Sequence, residues 1–505
     1  MTNKKSAAEI LIYILLLLCV ILFRGFVLAE FGFRFTDGDQ CIMWHGLADY
    51  SKGVFHEPRF YGQAYSTMAE ALFAVPFYYC GLPPWKALPL VTSMMTLFPY
   101  VLISLFAFKK RSPFIASVII SVPLLLSPEY GFITTIPRGF VPGIFIASLG
   151  WVSVFYPHRR RSFLLAAFAS VVAFSVNANS VIVSLPCLGY LLLENFKNRQ
   201  FYFYAFPGFL AGAIIHGAAA YFYFTHPHYN LHRQTLRYSF SLLAESFDQL
   251  DLFFNHNMPV LWNTGFLVLF IFPLMSIPLF RERRYAAAIT LASIPLFIIA
   301  TLGLDKVHDG TASVFFSTAR FYIGIPPLIA LCITLLPTYE TPVTARLFFV
   351  VPLLFLILHL SILEKRITAA VDPRNEHVVS VQEVAVIRDE CRRLKDTCLK
   401  YRVGLVVISS HWYYDIYTFG CPSCNSDFPS TLRPSYERRT WRLLEDEKKV
   451  YRNVLIVDVS ETGPNSHLVK KLGYGLYLVQ NNSLLTMQLL DSLKINCREY
   501  RANRL

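Results

Sequence analysis

The stretch Phe35–Gln40 reads FTDGDQ and follows the first long apolar run of the chain. Its two carboxylates, Asp37 and Asp39, lie at the predicted end of a membrane helix, where charged side chains are costly and commonly mark a functional site. A carboxylate there can take a proton from a hydroxyl group or hold a divalent cation. A solvated Asp-Gly turn is the structural alternative. The side of the membrane that the two acids face decides between these interpretations.

The composition is that of a membrane protein rather than a soluble one. Of the 505 residues, 54% are hydrophobic and only 16% are charged, whereas about a quarter of the residues in soluble domains are charged. The formal net charge is +13, but the basic residues cluster in short loops between apolar runs, as they do in cytoplasmic loops. This distribution argues against nucleic-acid binding and predicts an α-helical polytopic membrane protein.

Eleven apolar runs are predicted to cross the membrane, for which a helix needs about 20 residues. They lie near residues 9–28, 86–108, 112–127, 139–156, 162–176, 181–195, 203–224, 258–280, 285–304, 317–337 and 345–363. Five basic clusters, at residues 4–5, 109–111, 159–161, 197–199 and 281–284, then fall on one side. The positive-inside rule places that side and the N-terminus in the cytoplasm. The odd number of spans puts the tail outside.

This topology predicts two domains. Residues 1–363 form the membrane domain, whose large first external loop, residues 29–85, holds the two aspartates and an interfacial helix at Tyr65–Tyr79. Residues 364–505 form a small extracytoplasmic α/β domain with a helix at Val378–Cys398. Its predicted strands are Val403–Ser409, Val454–Val459 and Leu476–Gln480.

Polar side chains interrupt the apolar sequence at several further places. Glu70 is embedded in the interfacial helix shortly after Tyr61 and Gln63, so it has a partner or a function, or it simply faces water. Asn177 and Asn179 separate two half-length apolar runs. Polar groups beside irregular backbone at that depth are tolerated where they line a cavity, and a tight external turn is the plainer interpretation.

Two arginines are candidates for binding an anion. Arg320 is predicted at the external start of a late helix, just before Tyr322, and Arg138 lies in the second external loop. A guanidinium group can hold a phosphate through two parallel hydrogen bonds. The alternative for either side chain is an interfacial arginine that extends its charge to water.

Several of these stretches together resemble a known family. The run from Asp39, the segment Phe60–Tyr65 (FYGQAY) and the pair Glu70–Ala71 are similar to bacterial GT-C glycosyltransferases of the family 39 and lipid A aminoarabinose transferase kind. That family carries Asp-Glu after its first helix. Here the pair is Asp39 followed by Gln40, with Asp37 upstream.

The resemblance extends along the membrane domain. Arg138–Gly139 is similar to an Arg-Gly segment of the same bacterial group. Ala319–Tyr322 (ARFY), with Pro326 behind it, resembles the opening of a late helix in many members. The similarity covers about residues 8–335 and is looser in the tail.

The resemblance implies a GT-C fold and an inverting glycosyltransferase in a bacterial inner membrane. The donor would be a polyprenyl phosphate carrying one sugar, and the acceptor a hydroxyl group of a lipid, glycan or protein on the external face. Asp39 would be the base, and Asp37 an auxiliary base or a ligand of a divalent cation at these two acids. Arg138 and Arg320 would hold the phosphate. The implied substrate-binding residues are Tyr61, Gln63, Glu70, Arg138, Asn177, Asn179, Arg320 and Tyr322.

Two other functions stay open. A transporter or flippase of a lipid-linked saccharide also explains many helices and buried cations, but gives no reason for acids in an external loop. A catalytically inactive relative with a scaffold role in the cell envelope is the second, because Gln40 stands where the family has glutamate.

The cysteines of the tail point to disulfide bonds. An external domain in an oxidising compartment favours structural pairs. Cys391 and Cys398 are too far apart on one helix to pair with each other, and a zinc site is the alternative. The candidates are Cys391, Cys398, Cys421, Cys424 and Cys497, with the connectivity open.

Overall fold

The protein is predominantly helical. The computed structural model describes residues 7–232, 236–337, 342–372, 381–410, 414–446, 448–460, 464 and 469–495, with the backbone alone for 342–348. Helical residues make up 68% of the structure. Within these ranges, three helices are long and apolar enough to cross a membrane, and they are Ala7–Gly32, Pro84–Lys110 and Arg199–Thr225. By length and composition, these helices indicate a membrane protein.

The helices follow the apolar pattern of the sequence. The first ten are α1 (Ala7–Val27), α2 (Gly38–Ser51), α3 (Ala69–Tyr79), α4 (Pro84–Lys110), α5 (Pro113–Leu125), α6 (Pro128–Ile133), α7 (Pro142–Trp151), α8 (Arg160–Val176), α9 (Val181–Glu194) and α10 (Arg199–Thr225). The others are α11 (Phe240–Ser246), α12 (Leu250–Phe254), α13 (Ile271–Arg281), α14 (Tyr285–Thr301), α15 (Ile325–Ile333), α16 (Pro342–Val371), α17 (Val384–Lys400), α18 (Cys421–Cys424), α19 (Thr440–Asp446) and α20 (Thr486–Ser492).

The predicted spans coincide with helices, but most of these helices are shorter than expected. Each of the eleven apolar runs contains helical residues. Six apolar helices have only 10–17 residues, and a helix of that length falls short of the roughly 20 residues that cross a bilayer. Prolines contribute to the shortening: Pro113 and Pro128 open α5 and α6, and helices commonly end before such a residue. The positions of the helices are therefore confirmed, and the number of spans is not.

The chain forms two compact units. The first unit consists of residues 1–32, 89–217 and 234–378, and the second of residues 33–88, 218–233 and 379–505. The predicted domains, 1–363 and 364–505, are continuous stretches, whereas each compact unit gathers three separate segments.

Close helix crossings hold the first unit together. In α10, Gly208 and Gly212 are four residues apart, and a Cβ on them would lie 2.3 Å from the Leu164 carbonyl oxygen and 2.7 Å from Cβ of Val171. Both of these neighbours belong to α8. A pair of glycines at this spacing allows two helix backbones to approach closely, as in membrane helix pairs.

A five-stranded sheet forms the core of the second unit. Its strands are β3 (Leu405–Ser410), β4 (Ser430–Leu432), β5 (Asn453–Asp458), β6 (Val469–Gly473) and β7 (Leu476–Gln480), in the spatial order β4-β3-β5-β7-β6. β3 is parallel to β4 and β5, and the β5–β7 and β7–β6 pairs are antiparallel. The three predicted strands are confirmed.

Apolar side chains cover both faces of this sheet. Alternate residues of β3 point to opposite faces, so Leu405 and Val407 pack in one cluster while Val406 and Ile408 pack in the other. The first cluster includes residues of α19 and α20, and the second includes Leu394 of α17. The predicted small α/β fold of the tail is thus confirmed.

A short ladder joins the acidic stretch to the start of α17. β1 (Phe35–Thr36) pairs antiparallel with β2 (Gln382–Glu383), and the Val384 amide donates to the Arg34 carbonyl oxygen at 2.8 Å. The ladder fixes the backbone immediately before Asp37.

The described part of the tail contains one disulfide. Cys391 of α17 bonds to Cys421 of α18, with a Cα–Cα distance of 5.0 Å and a sequence separation of 30. Cys398 and Cys424 carry free thiols. Cys497 lies outside the described residues, as does the basic pair at residues 4–5.

Candidate functional site

The predicted site residues fall into two groups, one in each compact unit. The second unit contains Asp37, Asp39, Tyr61, Gln63 and Glu70. The first unit contains Arg138, Asn177, Asn179, Arg320 and Tyr322.

Asp37 caps α2 from a fully buried position. Its Oδ1 accepts a hydrogen bond from the Gln40 amide at 3.0 Å, and its Oδ2 accepts one from Gln40 Nε2 at 3.2 Å. The first bond satisfies a backbone donor that the start of a helix leaves open. The second requires a side-chain donor, which a glutamate at position 40 would lack when ionised. The Gln40 side chain therefore gives Asp37 a hydrogen bond that an ionised glutamate could not donate.

Asp39 lies in the first turn of α2 and is the more accessible of the two acids. Its side chain is 42% exposed, and its Oδ1 faces Arg438 Nη2 at 3.4 Å. The arginine precedes α19, in the C-terminal part of the chain. At this exposure, a ligand from solvent can reach the Asp39 carboxylate.

A second ion pair lies beside this one. Asp415 accepts from Arg433 Nη1 at 3.0 Å, and a Cβ added to Gly38 would lie 2.9 Å from Cβ of Asp415. Burial raises the pKa of Asp415, and Asp39 raises it further, while Arg438 and Arg433 oppose this shift. Asp37, Asp39, Asp415, Arg433 and Arg438 together are called the carboxylate cluster below.

The segment FYGQAY packs onto the carboxylate cluster through its glycine. Gly62 has φ +78°, and a Cβ there would lie 3.2 Å from Cα of Arg438. The Gly62 carbonyl oxygen accepts from the amides of Leu231 and His232 at 2.9 and 3.0 Å. Both the positive φ and the close approach require glycine at this position.

Tyr61 belongs to a separate set of titratable groups, of which His45 and Asp49 lie in α2 and His56 and Tyr61 follow it. Its hydroxyl donates to Asp49 Oδ2 at 2.8 Å, and His45 and His56 approach the same oxygen at 3.7 and 3.9 Å. The His56 ring stacks on Trp441 with a centroid distance of 3.9 Å. Burial raises the pKa of Asp49 and lowers those of both histidines, so the imidazoles are neutral at pH 7.

Gln63 and Glu70 are both buried. The Gln63 amide donates to the Phe60 carbonyl oxygen at 3.0 Å. Glu70 faces inward from the first turn of α3, on the same side as Ala71 and Ala74. The helix that was predicted to be interfacial begins at Ala69, four residues later than expected. The water-facing alternative for Glu70 is excluded by its burial.

In the first unit, the structure brings both asparagines and the two arginines together. Asn177 Nδ2 donates to the Gly139 carbonyl oxygen at 2.7 Å, and Asn179 Nδ2 donates to the Phe140 carbonyl oxygen at 3.0 Å and the Arg320 carbonyl oxygen at 3.5 Å. These bonds join the loop before α7 to the turn that carries Arg320. Arg138, Asn177, Asn179 and Arg320, together with Lys306 and Asp309, are called the cationic cluster below.

Arg320 is a buried cation among aromatic rings. Its guanidinium carbon lies 4.5 to 5.7 Å from the ring centroids of Phe316, Phe321 and Phe140. It donates to the Asp309 carbonyl oxygen and lies 3.7 Å from the Asp309 carboxylate. Its burial excludes the exposed, snorkelling alternative.

Lys306 adds a second positive charge beside Arg320. It forms an ion pair with Asp309. Burial lowers its pKa, and the positive charge of Arg320 contributes to the shift, while Asp309 opposes it. Arg138 donates to the Phe315 carbonyl oxygen, a few residues before Arg320. Three cations, Arg138, Lys306 and Arg320, thus lie with the carboxylate of Asp309, and Asp305 also acts on Lys306. A site rich in positive groups suits an anionic ligand.

Tyr322 packs within the fold. It is 1% exposed, its hydroxyl lies 3.0 Å from Thr301 Oγ1, and its ring lies 4.9 Å from that of Phe254. These contacts orient the turn that carries Arg320. Its predicted contact with substrate stays a prediction.

The divalent cation considered at Asp37 and Asp39 stays a prediction. Within the described ranges, no group of three or more His, Cys, Asp or Glu side chains is arranged to hold a metal ion. At the two acids for which a divalent cation was considered, both Asp37 oxygens accept from Gln40 and Asp39 faces Arg438. A cationic side chain next to the carboxylate disfavours a bound cation.

Five charged residues of these clusters were not predicted from the sequence. They lie in no motif and follow no period, and they are Arg438, Arg433, Asp415, Lys306 and Asp309. The run Arg433–Arg439 (RPSYERR) was the available signal, because a short basic stretch is unusual in a tail that the positive-inside pattern predicts to be external.

Comparisons with known proteins add nothing to this description: no family model, no curated protein and no solved structure matches the chain. The resemblance to GT-C glycosyltransferases therefore stays a prediction.

Proposed function

We propose that the protein is an inverting glycosyltransferase that moves a sugar from a polyprenyl-phosphate donor to an acceptor hydroxyl group outside the cytoplasm. The observation that carries the proposal is the state of Asp39, a half-exposed carboxylate at the start of a helix, next to a fixed arginine. Asp37, by contrast, is buried and bonded to Gln40. Asp39 is accordingly the base, and Asp37 holds the turn that presents it.

The reaction needs one base and one binding site for the leaving group. The acceptor hydroxyl loses its proton to the Asp39 carboxylate, and its oxygen attacks the anomeric carbon from the face opposite the phosphate. The bond between that carbon and the phosphate oxygen breaks, and polyprenyl phosphate leaves with the electron pair. A base in this position contributes about 10²- to 10⁴-fold to the rate.

The cationic cluster supports a phosphate leaving group. Arg320 and Lys306 are positive, partly or fully buried, and share Asp309 as a counter-ion. A phosphate could replace that carboxylate and would gain charge-assisted hydrogen bonds from both cations. Fixed positive groups at the place where negative charge develops lower the barrier of the reaction.

The membrane arrangement is part of the proposal. A GT-C fold with about eleven spans would place the N-terminus in the cytoplasm and the acids and the tail outside, in a bacterial inner membrane. The Cys391–Cys421 bond supports an extracytoplasmic tail, because structural disulfides persist in oxidising compartments. The lipid-linked donor and the hydroxyl group of the acceptor would both be accessible from the extracytoplasmic side.

The experiment compares sugar transfer by purified variants in lipid nanodiscs. The donor is taken from envelope lipids that accumulate in a deletion strain, and products are identified by mass spectrometry. We expect Asp39→Asn to lower the transfer rate at least about 100-fold. Asp389→Asn is the matched control, because Asp389 also pairs with an arginine at 3.4 Å but on the protein surface. Transfer by Asp39→Asn at the wild-type rate would show that Asp39 is not the base and would refute the proposal.

The same preparation distinguishes the alternatives. A flippase moves a fluorescent lipid-linked saccharide across a vesicle membrane without releasing the sugar, whereas the proposed enzyme releases polyprenyl phosphate. An inactive scaffold does neither, and its deletion phenotype is rescued by Asp39→Asn as well as by the wild type.

A further inference from the structure

Arg438 contacts or faces three separate parts of the second compact unit. It pairs with Asp39 of α2, it lies against Gly62 of the segment FYGQAY, and it faces Asp415. We propose that Arg438 is a positioning residue that holds the Asp39 carboxylate ionised and directed toward the acceptor, so that the C-terminal segment of the chain takes part in the reaction. This inference rests on the proposed function of Asp39.

The geometry fixes the guanidinium group. The Arg438 side chain is only 14% exposed, although its partner Asp39 is 42% exposed. Its guanidinium carbon lies 5.7 Å from the ring of Tyr436 and 5.9 Å from the ring of Phe60. Because Gly62 has no side chain, its backbone can lie against the Arg438 backbone. An arginine that is held on several sides can orient a mobile carboxylate, whereas a free surface arginine cannot.

The charges divide into two pairs. Arg433 bonds to Asp415 at 3.0 Å and stacks on Tyr414, with its guanidinium carbon 4.1 Å from the ring centroid. Arg438 faces Asp39 at 3.4 Å. Without Arg438, Asp39 would lose this positive charge and would still lie near the Asp415 carboxylate. Like charges at this distance favour protonation of one carboxylate, and a protonated carboxyl group cannot act as a base.

A structural role alone would have a different signature. Asp39 is 42% exposed, and an ion pair that water screens at one partner contributes little to stability, so loss of the Arg438–Asp39 charge pair itself has a small effect on folding. Its main effect is on the proton affinity of Asp39. Replacement of Arg438 should therefore change the pH dependence of the protein more than its unfolding temperature.

The test measures protonation at Asp39 without substrate. Full-length protein in nanodiscs is treated with a water-soluble carbodiimide and an amine, which modify protonated carboxyl groups, and the labelling of Asp39 is followed by peptide mass spectrometry from pH 4 to pH 8. We expect the labelling curve of Arg438→Gln to move to higher pH. A change of access alone would scale labelling by one factor at every pH and leave the midpoint unchanged.

Two further variants complete the design. Arg392→Gln removes a surface arginine that pairs with Asp389 at the same distance, 3.4 Å, and its Asp39 curve should match the wild type. Arg438→Lys keeps the positive charge, so its Asp39 labelling curve should lie close to that of the wild type. If Arg438→Gln does not fold, Arg438→Lys and Arg438→Met are compared in the same way.

Transfer assays then separate this inference from the proposed function. We expect Arg438→Gln to lose about tenfold in transfer rate at pH 6 and less at pH 8, because loss of the neighbouring positive charge raises the pKa of Asp39 and leaves less of the ionised base at the lower pH. An unchanged labelling curve and an unchanged pH profile in Arg438→Gln would overturn the inference. Wild-type activity of Asp39→Asn would instead overturn the proposed function.

Discussion

At the scale of single residues, the acidic stretch consists of two aspartates with different surroundings. Asp37 is buried and bonded to Gln40, while Asp39 is half exposed and faces Arg438. The sequence distinguishes neither environment, because the two acids flank one glycine and share the same local pattern. The difference arises from Arg438, which lies 399 residues after Asp39. No rule of local spacing could find that partner.

Gly62 provides a residue-scale test of this arrangement. Gly62 and Gly53 both have positive φ, at +78° and +71°, but only Gly62 lies against another backbone. The positive φ alone costs an alanine about 1–2 kcal/mol. At Gly62, contact with Arg438 adds about 1–3 kcal/mol. Gly62→Ala should therefore lower the thermal unfolding midpoint in detergent clearly more than Gly53→Ala does.

The Gly62 comparison also reports on the site. Gly62→Ala displaces Arg438, so the transfer rate should fall in this variant and stay near wild type in Gly53→Ala. Equal midpoints for the two variants would contradict the close packing of Gly62 on Arg438.

At the scale of elements, regular patterns were predicted well and short or irregular ones were not. The β-branched runs of β3, β5 and β7 were recognised because buried strands carry such residues. The three residues of β4 are too few to show a pattern. The edge strand β6 carries Lys470 and Lys471, and charged residues are typical of edges that must not pair further, so its sequence resembles a loop.

The disulfide between Cys391 and Cys421 should stabilise the tail. It connects α17 to α18 across 30 residues, and closing a loop of that size in the unfolded chain stabilises a fold by about 2–4 kcal/mol. Cys391→Ser should lower the unfolding midpoint of the tail and make it insensitive to reducing agents. Cys80→Ser is the control, because Cys80 is exposed and carries a free thiol. A wild-type midpoint for Cys391→Ser would show that the bond does not form.

At the scale of the whole molecule, composition predicted a helical membrane protein and the strand pattern predicted a small α/β tail. Three helices of the described residues are long and apolar enough to cross a membrane, and the tail contains a five-stranded sheet. The number of spans was not confirmed, because six of the apolar helices are only 10–17 residues long. Hydropathy counts apolar residues, and it does not show where Pro residues or irregular turns end a helix. The grouping of the first loop with the tail in one compact unit was also beyond the sequence, since it depends on contacts between distant segments.

The proposed function requires the first loop to lie outside the cytoplasm, and Cys80 can report its side directly. Cys80 belongs to the same predicted loop as Asp39 and is exposed. In intact cells, a membrane-impermeant maleimide should label Cys80, as identified by peptide mass spectrometry and by loss of the signal in Cys80→Ser. A cysteine at Lys110, within a basic cluster, should be labelled only after the membrane is opened. Labelling of Cys80 only in opened cells would place Asp39 with the basic clusters in the cytoplasm and contradict the account.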